Sequence, residues 1–241
     1  MSSSNNVSEF LEVLGKEFSK NLTVEVTSQK NLEVKPMSFK QQKAIITSGL
    51  NGLVGAMTFI KNINDTIIEN TGVDNLKIYD RMPIILALRQ NLFDKKIISD
   101  DVEIDIADLI KNFTKFDGVE KLEIEGEGFS LKLKIPTLVE ENRFTTECIE
   151  MIKKTKTEDL GENASIILSY EIPKFLESVK FKENTIDIAS LSFKNVNSII
   201  DNLPASITNK ITDFILKVRE YDEKLLTIND ATIDVDYSFF E

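Results

Sequence analysis

The chain has 241 residues, with 29 Lys and Arg against 40 Asp and Glu for a net charge of −11, no His, no Trp and a single Cys. Without imidazole there is no Ser-His-Asp or Cys-His unit and no His-bound zinc, and Cys148 alone makes neither an intrachain disulfide nor a Cys-rich metal site. The acidic balance disfavours a nucleic-acid-backbone binder, whose affinity depends on Lys and Arg neutralising phosphates.

A chain 41% hydrophobic and 29% charged reads as globular. Gly and Pro are scarce, and neither a P-loop nor a dinucleotide fingerprint is present. Met1–Asn6 is polar and lacks the basic and apolar regions of a signal peptide, so a reducing cytoplasm is the expected location.

In chain order, residues 1–6 read as a tail, and Phe10, Leu11, Leu14 and Phe18 predict a short amphipathic helix over 7–19. Leu22–Thr27 alternates as a half-buried strand does, with Leu32 and Val34 as its hairpin partner, ending at Pro36. Ser38 to about Asn70 reads as the longest helix, its stripe running Ile46, Leu50, Leu53, Met57, Ile60. Gly49, Gly52 and Ala56 lie beside that stripe and predict close approach of another backbone. The charge-free run between Lys43 and Lys61 falls short of the ~20 apolar residues that span a bilayer, so a core helix is expected.

A second helix is predicted over Asp80–Phe93, with Pro83 near its first turn. Ile98, Val102, Ile104 and Ile106 then alternate with acids. Leu122 and Ile124 face Leu131 and Leu133 across Gly126-Glu127-Gly128, which predicts a β-hairpin. With Glu127-Gly128 as the loop, Glu123 lies opposite Lys132 and Ile124 opposite Leu131. After Pro136, Thr137-Leu138-Val139-Glu140 is a capping box opening a helix to about Lys154. Residues 163–180 admit two readings: a helix through Leu168, Ile172, Phe175 and Val179, kinked at Pro173, or a strand over Ser165–Ile172. A short strand at Thr185–Ile188 and a helix over Leu191–Asn202 follow. Pro204 opens a last helix with the stripe Ile207, Ile211, Phe214, Val218, Tyr221. Ile233–Glu241 alternates like a strand and ends in aromatics.

The expected fold is α+β: helices packed on antiparallel β-hairpins, with a mostly helical C-terminal half. The expected parts are a tail and short helix (1–20), an α/β part with hairpins (21–136), and a mostly helical part ending in a strand-like aromatic segment (137–241). No Pro/Gly/Ser-rich linker separates them, so 21–241 is compatible with one shared core.

Carboxylates are the only plentiful catalytic groups. Asp100, Asp101, Asp105 and Asp108 could in principle hold a divalent cation for a metal-assisted enzyme, but they lack EF-hand spacing and alternate with apolar residues. A solvated strand face is the better account. Cys148 lies on the apolar side of its helix, which marks a buried structural thiol. No catalytic, cofactor-binding or metal-ligating residue is therefore expected, and no cofactor. Tyr237, Phe239 and Phe240 are the candidate docking residues, either on this chain's own sheet or on a partner.

Four pieces taken in order carry a resemblance. They are Lys35-Pro36-Met37-Ser38-Phe39-Lys40-Gln41-Gln42-Lys43, the stretch Tyr170–Val179, Leu203-Pro204-Ala205-Ser206-Ile207-Thr208, and Ile233–Phe240. Together they resemble the T-even-type bacteriophage baseplate protein family, baseplate hub subunits or hub-assembly chaperones of contractile tails. The likeness runs from about residue 34 onward; Pro173 and the charge-free Ala44–Ile60 run depart from it. The resemblance implies a non-enzymatic viral protein that contacts other phage tail proteins, in the host bacterial cytoplasm during assembly or within the virion baseplate. It carries no catalytic residue to this chain and implies neither nucleic-acid binding nor a membrane span. A membrane-interacting protein using Ala44–Ile60 is the remaining alternative.

Overall fold

Alternating apolar residues close the first hairpin in the computed structural model, which describes residues 10, 13, 21–49, 52–92, 96–99, 102–155 and 170–240. Strands β1 (Leu22–Val24) and β2 (Leu32–Val34) pair antiparallel, Leu22 opposite Val34. Val24, Leu32 and Val34 turn inward and Glu33 outward, as the period of two requires.

The long helix expected over 38–70 is two helices, α1 (Phe39–Gly49) and α2 (Gly52–Thr71). Gly52 has φ +60, a left-handed conformation that α-helical backbone does not contain and that glycine adopts without a side-chain clash. The chain therefore reverses there. Asn62 Nδ2 donates to the Ala44 carbonyl (3.0 Å) and Gln41 Nε2 to Asn70 Oδ1 (2.9 Å), so α1 runs back along α2. Met57 of the expected stripe is buried, but the other buried positions shift, to Ile45 in α1 and to Ile63 and Ile67 in α2. Of the expected stripe, Ile46 and Ile60 are only partly buried, and Leu50 lies outside the described residues.

A 3-10 turn at Ile78–Asp80 leads into α3 (Arg81–Leu92), with Pro83 in its first turn as expected. Strands β3 (Lys96–Ser99) and β4 (Val102–Asp105) form an antiparallel hairpin followed by the short α4 (Ile106–Lys111). The next hairpin, β5 (Lys121–Gly126) and β6 (Phe129–Lys134), has the expected register: Glu123 opposite Lys132, Ile124 opposite Leu131. Helix α5 (Leu138–Thr155) follows.

Pro173 starts a 3-10 turn, and the chain then enters β7 (Leu176–Phe181) and β8 (Asn184–Asp187). Of the two readings of 163–180, the helical one fails at Phe175–Val179, because β6 offers an open edge whose amides and carbonyls β7 pairs. The reading of Ser165–Ile172 as a strand fails in its described part, where Tyr170 and Glu171 are helical and Ile172 is a turn; Ser165–Ser169 lie outside the described residues. The four-stranded antiparallel sheet has the order β5-β6-β7-β8, so β6 and β7 join residues on either side of Pro136 in one sheet.

Helices α6 (Phe193–Ile200) and α7 (Ala205–Leu226) complete the helical set, and α7 buries Ile207, Ile211, Phe214, Val218 and Tyr221, the stripe read from sequence. A small hairpin, β9 (Thr227–Ile228) with β10 (Ala231–Thr232), precedes the closing segment. That segment is not a strand. Tyr237–Phe240 is a 3-10 turn, because Asp236 Oδ1 accepts from the Ser238 amide (2.8 Å) and hydroxyl (2.6 Å) and coils the backbone locally. One continuous apolar core reaches from Val24 to Phe240, and the architecture is α+β.

Candidate functional site

The junction between sheet and α5 organises the most highly charged part of the interior. Thr137 Oγ1 accepts from the Glu140 amide (3.1 Å) and Glu140 Oε2 from the Thr137 amide (2.9 Å), the reciprocal capping box expected from sequence. The cap fixes the first turn of α5 and turns the next residue, Glu141, inward to 1% exposure.

Both oxygens of Glu141 are occupied. Arg81 Nη1 donates to Oε2 (2.5 Å), as does Asn64 Nδ2 (2.9 Å), and Lys174 Nζ donates to Oε1 (2.9 Å). Arg81 also reaches Asn64 Oδ1 (3.1 Å), and Lys174 reaches Glu171 Oε1 (3.2 Å), which Arg219 shares through Oε2 (3.0 Å). The Lys174 ammonium lies 4.6 Å from the ring centre of Tyr170, whose hydroxyl meets Thr145 Oγ1 (2.9 Å). The cluster thus ties α2, α3, α5 and the Pro173 turn at one buried point.

Burial alone would raise the Glu141 pKa, but the attraction of Arg81 and Lys174 outweighs it and holds the carboxyl well below the usual range. Burial alone would lower Lys174, yet Glu141, Tyr170 and Glu171 hold its ammonium above the ordinary value. Asp222, on α7, faces the same cluster. Its Oδ1 is sealed from solvent and accepts no hydrogen bond among the described residues. Burial lifts its pKa to about 7, against the opposing pull of Arg81.

Chemically, this arrangement favours cohesion. A nucleophilic lysine needs a depressed pKa and a general-base carboxylate a raised one, and Lys174 and Glu141 are shifted the other way. Arg81, Lys174 and Arg219 face the carboxylates of Glu141 and Glu171, and Asp222 adds a third negative charge only as pH rises past about 7. Cys148 is fully buried and its thiol is pushed up to about 11 by desolvation, so it stays protonated at neutral pH.

The sequence-predicted candidates lie elsewhere. Of the acidic run, Asp105 Oδ1 caps α4 by accepting from the Ala107 amide (2.8 Å), and Asp108 pairs with Lys111 (2.7 Å). Asp100 and Asp101 lie outside the described residues. Among the described residues no group of three or more His, Cys, Asp or Glu is placed to hold a metal ion, and no helix is long and apolar enough to cross a membrane.

Tyr237, Phe239 and Phe240 are brought together, but as internal packing. Phe240 is 0% and Phe239 3% exposed, so neither is a free anchor for a partner. Their aromatic surface is already covered by α1 and α2. Phe240 meets the Phe59 ring edge-on at 6.0 Å, and its carbonyl accepts from Gln42 Nε2 (2.8 Å). Tyr237 stays partly exposed and lies against Gly49, where an added Cβ would stand 2.7 Å from its own. The close approach expected at Gly49 is therefore a side chain and not a backbone, and Gly52 meets nothing within 4 Å. Beside the docked segment, Ile97, Ile98, Ile233 and Phe239 line a cleft of about 520 Å³ rimmed by Lys96 and Asp236, with Ile98 76% exposed.

Sequence reasoning missed Arg81, Asn64, Glu141, Tyr170, Lys174 and Asp222. One signal was present: Leu138, Glu141, Thr145 and Cys148 form a single helical stripe, all at 1% exposure or less, so a carboxylate stood at an inward position. Compared with known proteins, the chain matches no family model, no curated protein and no solved structure.

Proposed function

We propose that this chain works by protein–protein contact, as a structural component or assembly factor of a T-even-type contractile-tail baseplate. The phage assignment rests on the ordered sequence pieces at 35–43, 170–179, 203–208 and 233–240. The contact reading rests on the cleft at residues 96–98 and 233–239, where Ile98 stands 76% exposed beside a segment locked by internal packing. The cleft sets Ile97 and Ile98 among Arg89, Lys96, Asp234, Asp236 and Ser238, an apolar patch with a charged surround of the kind that partners cover.

Removal of the gene from the parent phage tests this reading. Infectious tails should be lost and restored by the wild-type chain, while Ile98→Asp, folded but with a charge in the cleft, should restore them poorly. Infectious tails formed in the absence of the protein would refute the proposal.

A further inference from the structure

The cleft beside Ile98 runs along an open strand edge. Among the described residues β3 pairs with β4 alone. With two residues between them, Ser99 and Val102 exchange both ladder bonds, and the exchange recurs at Ile97 and Ile104. The N–H and C=O of Ile98 therefore point away from β4. Ile97 and Ile98 lie on opposite faces of the hairpin, yet both line the cleft, and no described residue of β4 does. A space that touches both faces of one strand and misses its neighbour follows the outer edge. The opposite wall is Ile233, Asp234 and Asp236. Along it burial alternates as in a strand: Ile233 buried, Asp234 exposed, Val235 half-buried, Asp236 exposed. The Ile233 amide donates to the Leu226 carbonyl (3.0 Å), but beyond it no backbone hydrogen bond holds Asp234 or Val235 among the described residues. Phe239 and Phe240, buried just beyond, hold this wall in place. A strand edge without a neighbour and a strand pattern without a ladder thus face each other across about 520 Å³.

On the reading that this cleft meets a partner, we propose that it receives an extended segment of that partner, added as a strand along the outer edge of β3 with basic side chains toward Asp234 and Asp236. Charge selects the occupant. The cations of the cleft are engaged: Lys96 pairs with Glu103, and the guanidinium of Arg89, a residue 8% exposed, lies 6.0 Å from the Phe239 ring centre. Asp234 and Asp236 are exposed and enter no ion pair among the described residues. A segment that alternates apolar and basic residues sets Lys or Arg against these carboxylates and covers Ile98 with an apolar neighbour, while its backbone meets the Ile98 N–H and C=O. A second copy does not fit. Its own β3 is flanked by β4 on one side and by residues 233–236 on the other, so it cannot enter a cleft walled on both sides. Two chains of net charge −11 also repel.

The probe is a fluorescein-labelled peptide of alternating Lys and Val, titrated into the full-length protein and read by anisotropy beside the same peptide N-methylated at every residue, which keeps the side chains and loses the strand donors. The unmethylated peptide should bind, and the methylated one should bind on the order of tenfold more weakly. Asp234→Lys should weaken the unmethylated peptide about fivefold or more, since it sets like charges together. Ile98→Pro removes the outward amide and leaves the ladder to β4, so it should weaken binding beyond Ile98→Ala, which keeps that amide. A peptide that does not bind, that binds equally when methylated, or that is indifferent to Asp234→Lys overturns the proposal, whether or not Ile98→Pro folds. Contact at the cleft is judged separately. If the peptide fails while Ile98→Asp still restores tails poorly, the partner covers the cleft without strand pairing; if Ile98→Asp restores them fully, contact at this cleft is itself refuted.

Discussion

Glu141 and Asp222 sit in one cluster and respond to pH in opposite directions. The folded pKa of Glu141 is depressed below its unfolded value of about 4.3, so its contribution is present above that pH and is lost as pH falls through and below it. Asp222 is raised to about 7 against an unfolded value of about 3.9. Between those limits the folded chain holds the extra proton, so stability falls as pH climbs from 4 toward 7, and above 7 the full cost of an ionised, desolvated carboxylate is present. Glu141→Gln should cost about 3–5 kcal/mol in urea unfolding at pH 7, because it leaves Arg81 without its buried ion-pair partner and Lys174 with Glu171 alone. Asp222→Asn should do the reverse: it should be more stable than wild type at pH 8, with the difference shrinking toward pH 5. Urea midpoints measured at both pH values check this, and parallel curves for the two proteins would mean that Asp222 titrates as an ordinary surface acid.

Among the elements, those written in short-range pattern were legible before the structure. The Thr137–Glu140 cap, the Glu123–Lys132 register and the α7 stripe each depend on residues a few positions apart or facing across a tight turn. The break between α1 and α2 was not, because a lone glycine is also tolerated inside a helix and its φ of +60 is invisible in composition. The closing segment misled for a related reason: alternation at 233–237 implies a strand, but Asp236 offers Ser238 a local hydrogen bond that coils the chain first. The buried cluster was the hardest to see. Glu141 meets Lys174, Arg81 and Asn64 across 33, 60 and 77 residues of sequence, and no local pattern encodes such a meeting. The internal docking of the closing turn makes its own prediction. Phe240→Ala should cost about 3–5 kcal/mol, since it empties a fully buried aromatic site against Phe59. Guanidinium unfolding measures it; an unchanged midpoint would return Phe240 to the role of an outward anchor.

For the whole molecule, the pairing of β6 with β7 and the tie at Glu141 bind the two sequence halves through one sheet and one core. The buried charges are gathered at Glu141, while a cleft beside Ile98 and a groove above Leu109 open at the surface of the described residues. The most direct measurement is mass spectrometry of what co-purifies with the intact chain from infected cells, beside the composition of purified particles. Stoichiometric recovery of tail baseplate proteins is the predicted result, with the chain itself in the particles if it is a structural component and absent from them if it is an assembly factor. Recovery of the chain alone, and its absence from particles, would contradict the account.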